Sequence, residues 1–288
     1  MKPYLQDYRV INPQSEAELK QALDTEENAI PLAGCTDLFV ALKNNNLPPT
    51  VLINMYSCPE LQGEPELNDE LVLKPLTTFS DVRYNQPVVE RYPLLYQAIK
   101  TLSVLALQSR ATWAGNIVNA SPSANGVVAL LVYDARLQLS SVDGERQVDL
   151  VDFYQDYKQF DLKPNEFLRR IYLPHPGEGW REYYRDVGPR EYQAISKTIM
   201  AGRIKLDPAE KIQDVRLAAG SVYPYPLRLR KTEAVLLEKK LDDSLVEQAC
   251  EQLQEEIAPI DDLRSNRRYR RDVTVNMLRE FLRESRPL

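Results

Sequence analysis

Residues 31–38 read PLAGCTDL, and residues 110–126 read RATWAGNIVNASPSANG. In the first stretch an apolar run leads into Gly34, and a helix is expected to open beside Thr36 or Asp37, so unpaired backbone N–H groups point out of the turn. Such a turn attracts phosphate, because glycine lets an anion approach without meeting a Cβ. An ordinary strand-to-helix turn capped by Thr36 or Asp37 would read the same way. In the second stretch Thr112, Asn116 and Asn119 bring hydrogen-bonding side chains, while Ala111, Ala114, Gly115 and Ala120 keep the backbone accessible. That combination suits a polyol and a pyrophosphate wrapped by main-chain groups. Trp113 has two readings, packing on an aromatic ligand or filling the core. A loop of this length between core-grade segments costs ordering entropy, and it lacks the charge and low complexity of disorder, so it points to function. Two small-residue turns in one chain suggest an extended cofactor more strongly than either alone.

The scarce residues exclude other chemistry. The chain has one histidine, His175, in LPHPGEG, which rules out His-rich zinc sites and leaves a Ser/His/acid triad a single base to recruit. No CxxC occurs, so a zinc ribbon or a self-contained iron–sulfur site cannot be assembled here. GxxxxGK[ST] and strand–GxGxxG–helix patterns are both absent, which removes the P-loop and the Rossmann fingerprint. A bound organic cofactor is then expected to supply the reactive atoms. The formal net charge of −6 argues against nucleic acid. The sequence has no apolar leader and no apolar run of membrane-spanning length, and its three cysteines, Cys35, Cys58 and Cys250, are odd in number and far apart. A cytoplasmic protein is expected.

These residues must be positioned by mixed α and β elements. With 288 residues the chain can bury a sizeable core, and length alone suggests about two domains. Ser15 and Glu18 form an S-x-x-E capping box opening the helix SEAELKQAL. The strand AIPLAG, the helix DLFVALKN and the strand TVLINM complete a small α/β unit, residues 1–56. A middle unit, residues 57–176, holds the strand LVLKPL, the helix VVERYPLLYQAIKTL, the loop at 110–126 and the apolar segment into ARLQLSS. VDG then turns a hairpin into ERQVDL, and EFLRRIYLP reads as a strand, with antiparallel pairing. In residues 177–288 the strands REYYRDV, ISKTIMAGRIKL and KIQDVRLAAGSV precede helices around AVLLEKKL, LVEQACEQLQEEI and RDVTVNMLREFLRE, which indicates a separate α+β layer.

AGCTDL and RATWAGNIVNASP, followed by LLVYDARLQL and RLAAGSVYPYPLR, resemble the FAD-binding medium subunit of the xanthine dehydrogenase and carbon monoxide dehydrogenase (molybdenum hydroxylase) family. The similarity in motif order runs through YRDVGPREYQAISK to the arginine-rich C-terminal helix and covers nearly the whole chain. The resemblance implies an α+β architecture: a vanillyl-alcohol oxidase (PCMH-type) FAD-binding fold in two subdomains, with a C-terminal domain of antiparallel sheet and helices. It implies a molybdopterin-binding large subunit and a small subunit with [2Fe–2S] clusters as partners, and NAD or another acceptor for the electrons. By the same resemblance Leu32, Ala33, Gly34, Cys35, Thr36 and Asp37 hold the FAD pyrophosphate, mainly through backbone amides. Thr112, Trp113, Ala114, Gly115 and Asn116 hold the diphosphate and ribityl region, Asn125 stands where an acid often follows, and Leu168 and Arg185 match flavin-contact positions.

Three residues depart from the family pattern: Cys35 and Ala114 stand where it has glycine, and Asn125 where it has an acid. A non-glycine residue at positive φ costs on the order of 1 kcal/mol. Alternatively both positions have ordinary φ, and only the missing Cβ mattered. Within the resemblance no side chain needs to act as acid or base, because electrons arrive singly from an iron–sulfur cluster and leave in pairs at the flavin. Cys35 reads as a small turn residue or as a reactive thiol at a helix N-terminus. The run RSNRRYRR reads as a solvated helix face or a subunit interface in preference to a phosphate-binding patch. The rival functions are a stand-alone FAD-dependent oxidoreductase of the same fold and a flavin-free scaffold subunit.

Overall fold

The computed structural model describes residues 8–44, 50–190 and 194–286. Its first unit holds β1 (Arg9–Ile11), α1 (Glu16–Thr25), β2 (Ile30–Leu32), α2 (Leu38–Lys43) and β3 (Val51–Asn54). The three strands form a parallel sheet in the order β1-β3-β2. Leu19 and Leu23 of α1 pack on Ile53 of β3. Ser15 caps α1 by accepting from the Glu18 amide (3.2 Å), but the Glu18 carboxylate accepts from the Gln14 amide (2.7 Å) rather than from Ser15, so the expected capping box closes one residue early.

The second unit runs through β4 (Glu66–Leu67), β5 (Leu71–Leu73), α3 (Phe79–Arg83), α4 (Gln86–Arg91), α5 (Pro93–Thr101), α6 (Leu105–Gln108), α7 (Trp113–Val118) and α8 (Asn125–Val132). It continues with β6 (Arg136–Ser141), β7 (Gly144–Asp149), α9 (Leu150–Phe153), β8 (Tyr154–Asp156), β9 (Gln159–Phe160) and β10 (Phe167–Leu173). Five of these strands make an antiparallel sheet, β4-β5-β10-β6-β7, and the expected VDG hairpin joins β6 to β7. The single helix expected over VVERYPLLYQAIKTL is two: Pro93 has no amide to donate and disfavours helix at Tyr92, so it opens α5 instead of continuing α4. The expected loop at 110–126 contains α7, capped by Thr112, whose Oγ1 accepts from the Gly115 amide (3.0 Å). Six residues are too few to show a 3.6-residue hydrophobic period.

From Gly126 to Val132 every residue of α8 is buried. A helix apolar on all sides belongs in a core, and here the core is shared with the C-terminal sheet. That sheet is antiparallel, β11 (Trp180–Val187), β12 (Thr198–Leu206), β13 (Ile212–Gly220) and β14 (Leu227–Arg228) in sequence order. After it come α10 (Arg230–Leu236), α11 (Asp243–Glu256) and α12 (Arg267–Glu284). On β12, Ile199 and Ala201 join the core around α8, whereas Met200 and Ile204 join the one formed by α10 to α12. Gly202 leaves room for Phe281 of α12, which a Cβ there would meet at 2.6 Å. The C-terminal layer thus packs against the middle unit through α8. The run RSNRRYRR is not all solvated: Arg270 is buried, donating to the carbonyls of Lys197 and Ser221 (2.8 Å each) and to both oxygens of Asp262.

Among the described residues no helix is long and apolar enough to cross a membrane, and no group of three or more His, Cys, Asp and Glu could hold a metal. The junction between middle unit and C-terminal sheet is held by Arg203 of β12, which is 4% exposed. Its guanidinium lies between two rings, 4.5 Å from the centre of Tyr133 and 4.3 Å from that of Trp180. Its Nε donates to Glu182 (2.7 Å), whose other oxygen accepts from the Tyr133 hydroxyl (3.1 Å). Removing one member of a buried pair strands the other's charge, so Arg203→Ala is expected to lower the unfolding free energy by about 3 kcal/mol in urea titrations. Arg203→Lys should recover only part, because an ammonium cannot stack flat between two rings. Parental stability in both variants would show that the junction does not depend on this residue.

Candidate functional site

One cavity of about 980 Å³ lies between the first unit and the middle unit, with residues 190 and 194–196 contributing from the C-terminal part. Small-molecule sites run from roughly 300 to 1,000 Å³, so this is room for a long ligand. One wall is the turn after β2, with Ala33, Gly34, Cys35, Thr36 and Asp37 lining it. The other is the start of α7 and the segment into α8, where Thr112, Ala114, Gly115, Asn116 and Asn125 line it, and Leu168 of β10 lies between.

The walls touch at Gly34. A Cβ built there would stand 2.0 Å from the carbonyl oxygen of Arg110 and 2.9 Å from the Ala111 Cα. The glycine is therefore required by the contact between the two main chains, before any ligand is considered. The next residue, Cys35, has φ of 61°, in the left-handed region where the family's glycine is comfortable. Ala114 sits inside α7 with a helical backbone. The two departures thus have different origins: position 35 demands an unusual φ and position 114 does not. Burial pushes the Cys35 thiol up, with Arg110 only partly opposing, and its Sγ donates to the Ala33 carbonyl (3.0 Å). That environment favours a thiol over a reactive thiolate.

Both walls present donors. The amides of Thr36 and Asp37 have no backbone partner among the described residues, while Phe39 N already bonds to Cys35 O (3.0 Å). In the first turn of α7, Trp113 N donates to Thr77 O (3.2 Å) and Gly115 N to Thr112 Oγ1, which leaves the Ala114 amide open among the described residues. Asn116 Oδ1 is buried, lies against Gly126, and has no hydrogen-bond partner among the described residues. An unsatisfied buried acceptor costs about 1–3 kcal/mol, a cost that a ligand donor would relieve. A close-packed turn with free amides, a helix start with one free amide, and an orphaned amide oxygen together fit a dinucleotide that offers phosphates and hydroxyls. At the rim, Lys158 in the β8–β9 turn donates to the backbone oxygen of Asn119 and to its Oδ1 (3.3 Å), tying that hairpin to the end of α7. Burial lowers the Lys158 ammonium, and Asp37 from the facing wall opposes this.

Three of the residues inferred from the sequence do not line the cavity. Leu32 packs with the small core of Tyr8, Leu42 and Leu52. Trp113 is fully buried against Phe79, with ring centres 4.5 Å apart, so its core reading holds. Arg185 pairs with Glu280 of α12 (2.6 and 2.7 Å) on the opposite face of the C-terminal sheet. Alternation along a strand explains this: Tyr183 and Arg185 share one face, and Tyr184 and Asp186 the other. The sequence reading missed Thr101, Ser103 and Ser196, which line the cavity, and Asp186, which contacts Asn125 (2.6 Å). The stretch YRDVGPREYQAISK pointed to the right segment, though its residues 191–193 lie outside the described residues.

Residues 6–176 match the family model described as FAD binding domain in molybdopterin dehydrogenase, and residues 182–285 match that of the CO dehydrogenase flavoprotein C-terminal domain. The chain is 28% identical to the glyceraldehyde dehydrogenase medium chain of Sulfolobus acidocaldarius, over 98% of this chain and 99% of that one. It is 25% identical to the carbon monoxide dehydrogenase medium chain of Hydrogenophaga pseudoflava, over 87% of each. Among solved structures, a carbon monoxide dehydrogenase from Hydrogenophaga pseudoflava superposes with a TM-score of 0.90 at 24% identity, covering 97% of this chain and 96% of that one, a likeness of fold. With a cavity whose two walls are the expected turns and a family model spanning both, the chain belongs to the FAD-binding medium subunits of the carbon monoxide and xanthine dehydrogenase type of molybdenum hydroxylase.

Proposed function

We propose that this subunit carries electrons between a partner's [2Fe–2S] clusters and NAD or another acceptor, in a cytoplasmic complex whose molybdopterin-binding large subunit performs the substrate chemistry. The observation that carries the reading is the cavity closed by Gly34 on Arg110, lined among the described residues by backbone amides with no backbone partner. When bound, FAD supplies the conversion between one-electron and two-electron transfer. The chain's own residues bind and orient it. Thr36 and Asp37 offer amides to the pyrophosphate from one wall, and Ala114 offers one from the other. Thr112 holds the first turn of α7 in place, Asn116 donates or accepts toward the hydroxylated chain, and Asn125 and Leu168 bound the ring end. On this reading residues 1–56 and 57–176 are the two halves of the cradle, and residues 177–288 support it from behind.

Names of relatives favour this reading over a stand-alone flavin oxidoreductase, because they are medium chains of multi-chain dehydrogenases. The decisive measurement is the visible spectrum of the protein purified alone and with its partner subunits. Flavin bands that bleach with NADH or with reduced partner clusters are expected; a colourless protein that stays colourless with added FAD would overturn the reading.

Two substitutions separate the roles of adjacent turn residues. Gly34→Ala should abolish flavin retention, because its Cβ would force the Arg110 carbonyl away and part the walls. Cys35→Gly should retain FAD at least as tightly as the parent, since it removes a left-handed strain of about 1–2 kcal/mol. Equilibrium dialysis against FAD checks both, and weaker binding by Cys35→Gly would show that the thiol itself is used.

A further inference from the structure

Asn125, the first residue of α8, is held from two sides. Its Nδ2 donates to Asp186 Oδ2 of β11 (2.6 Å) and to Thr101 Oγ1 at the end of α5 (3.1 Å). Thr101 Oγ1 donates to the Ala98 carbonyl (3.1 Å) and also lies within reach of the Asp186 carboxylate; with its proton on either acceptor, its oxygen accepts from Asn125. An ionised carboxylate likewise only accepts. Both N–H bonds of the amide are therefore used, one orientation is left to it, and Oδ1 is the atom that remains for a ligand. Asn125 and Thr101 both line the cavity. Tyr184, which shares a strand face with Asp186, donates its hydroxyl to the backbone carbonyl of Asn125 (3.4 Å), not to its Oδ1.

We propose that Asp186 is a positioning residue: with Thr101 it locks the Asn125 amide so that its carbonyl oxygen is a fixed acceptor for a hydroxyl or N–H donor of the bound flavin dinucleotide. This rests on the flavin reading of the cavity and extends it to a residue outside the two motif turns. The device does with a neutral residue what a carboxylate would do at position 125. The negative charge stands one layer back, on β11, and only its accepting character reaches the cavity. The charge is costly there, since burial pushes the Asp186 carboxyl up and the surrounding Ser196, Asn125 and Thr101 side chains only partly oppose this. Among the described residues Tyr184 is the ionisable group that faces it, with its own proton held by burial.

The test is a titration of FAD into flavin-stripped protein, read by quenching of flavin fluorescence. Asn125→Ala should weaken binding about tenfold, the worth of one hydrogen bond. Asp186→Ala should cost about the same, and the double variant should be no weaker than either single one, because Asp186 acts through Asn125. Asn125→Asp alone sets two carboxylates in contact, so its binding should recover as pH falls and one of them takes a proton. Adding Asp186→Asn to it should restore near-parental affinity and remove the pH dependence. Additive losses, parental binding by Asp186→Ala, or an exchange variant no better than Asn125→Asp would overturn the proposal. Failure of the parent protein to bind FAD would instead overturn the flavin reading.

Discussion

The rest of the site depends on one approach of main chain to main chain, Gly34 against the carbonyl of Arg110. No side chain bigger than hydrogen fits between them, so the approach specifies a residue type in the first unit from a backbone position in the second. The second wall is itself anchored. An antiparallel bridge joins Thr78 to Thr112, Phe79 N bonds to Ala111 O (3.1 Å), and Trp113 N bonds to Thr77 O. The small parallel sheet is thereby tied through Gly34 to a strap on α3 and the five-stranded sheet beyond. A cavity between two separately folding walls would lose its shape with each fluctuation of either; here the contact makes their spacing a property of the backbone.

The opposite end of the cavity is set by α8. Because its sides are apolar, it takes the C-terminal sheet as a packing partner, and small residues on that sheet, Ala201 and Ala218, join the same core. The N-terminal residue of α8, Asn125, therefore arrives at the cavity with β11 close behind it, and side chains of β11 can govern it. At its other end, Tyr133 and the Arg203 guanidinium join helix to sheet. One buried helix thus transmits the position of the C-terminal sheet to the cavity wall. The apolar faces make that coupling stiff, since a well-packed core shifts little without opening voids.

Much of this was legible in the residues, and the parts that were not share a cause. Hydrophobic pattern and turn chemistry revealed the α/β unit, the hairpin at VDG and both cavity walls, because each depends on neighbours in sequence. Trp113 could not be assigned from its neighbours, since only the tertiary fold sets Phe79 against it. Arg185 was offered as a site residue because the segment is right, yet the face of a strand changes with every residue, and parity is decided by the sheet. Asp186, one position further, carried no local signal. Its contact is with Asn125, which the chain holds far away in sequence. α7 escaped because six residues show no period, and its cap, Thr112, looked like a loop threonine.

The three departures from the family's residues can then be weighed separately. Ala114 lies in a helix, where alanine is the best former, so its replacement of glycine stabilises the first turn and leaves the amide free to bind. Its methyl is almost fully buried. Cys35 sits at positive φ and carries a strain that glycine would avoid, yet its side chain turns back to the Ala33 carbonyl. On the proposed reading the binding groups in this turn are main-chain amides, so the Cys35 side chain, bonded back to its own turn, costs stability without removing a donor. Asn125 is the one departure that changes the chemistry at the wall, from carboxylate to amide. It is also the one with a carboxylate on the adjoining strand in hydrogen-bond contact. Cys35 and Ala114 leave the main-chain donors of the cradle in place; Asn125 alters a side-chain acceptor, and Asp186 holds that side chain in one orientation.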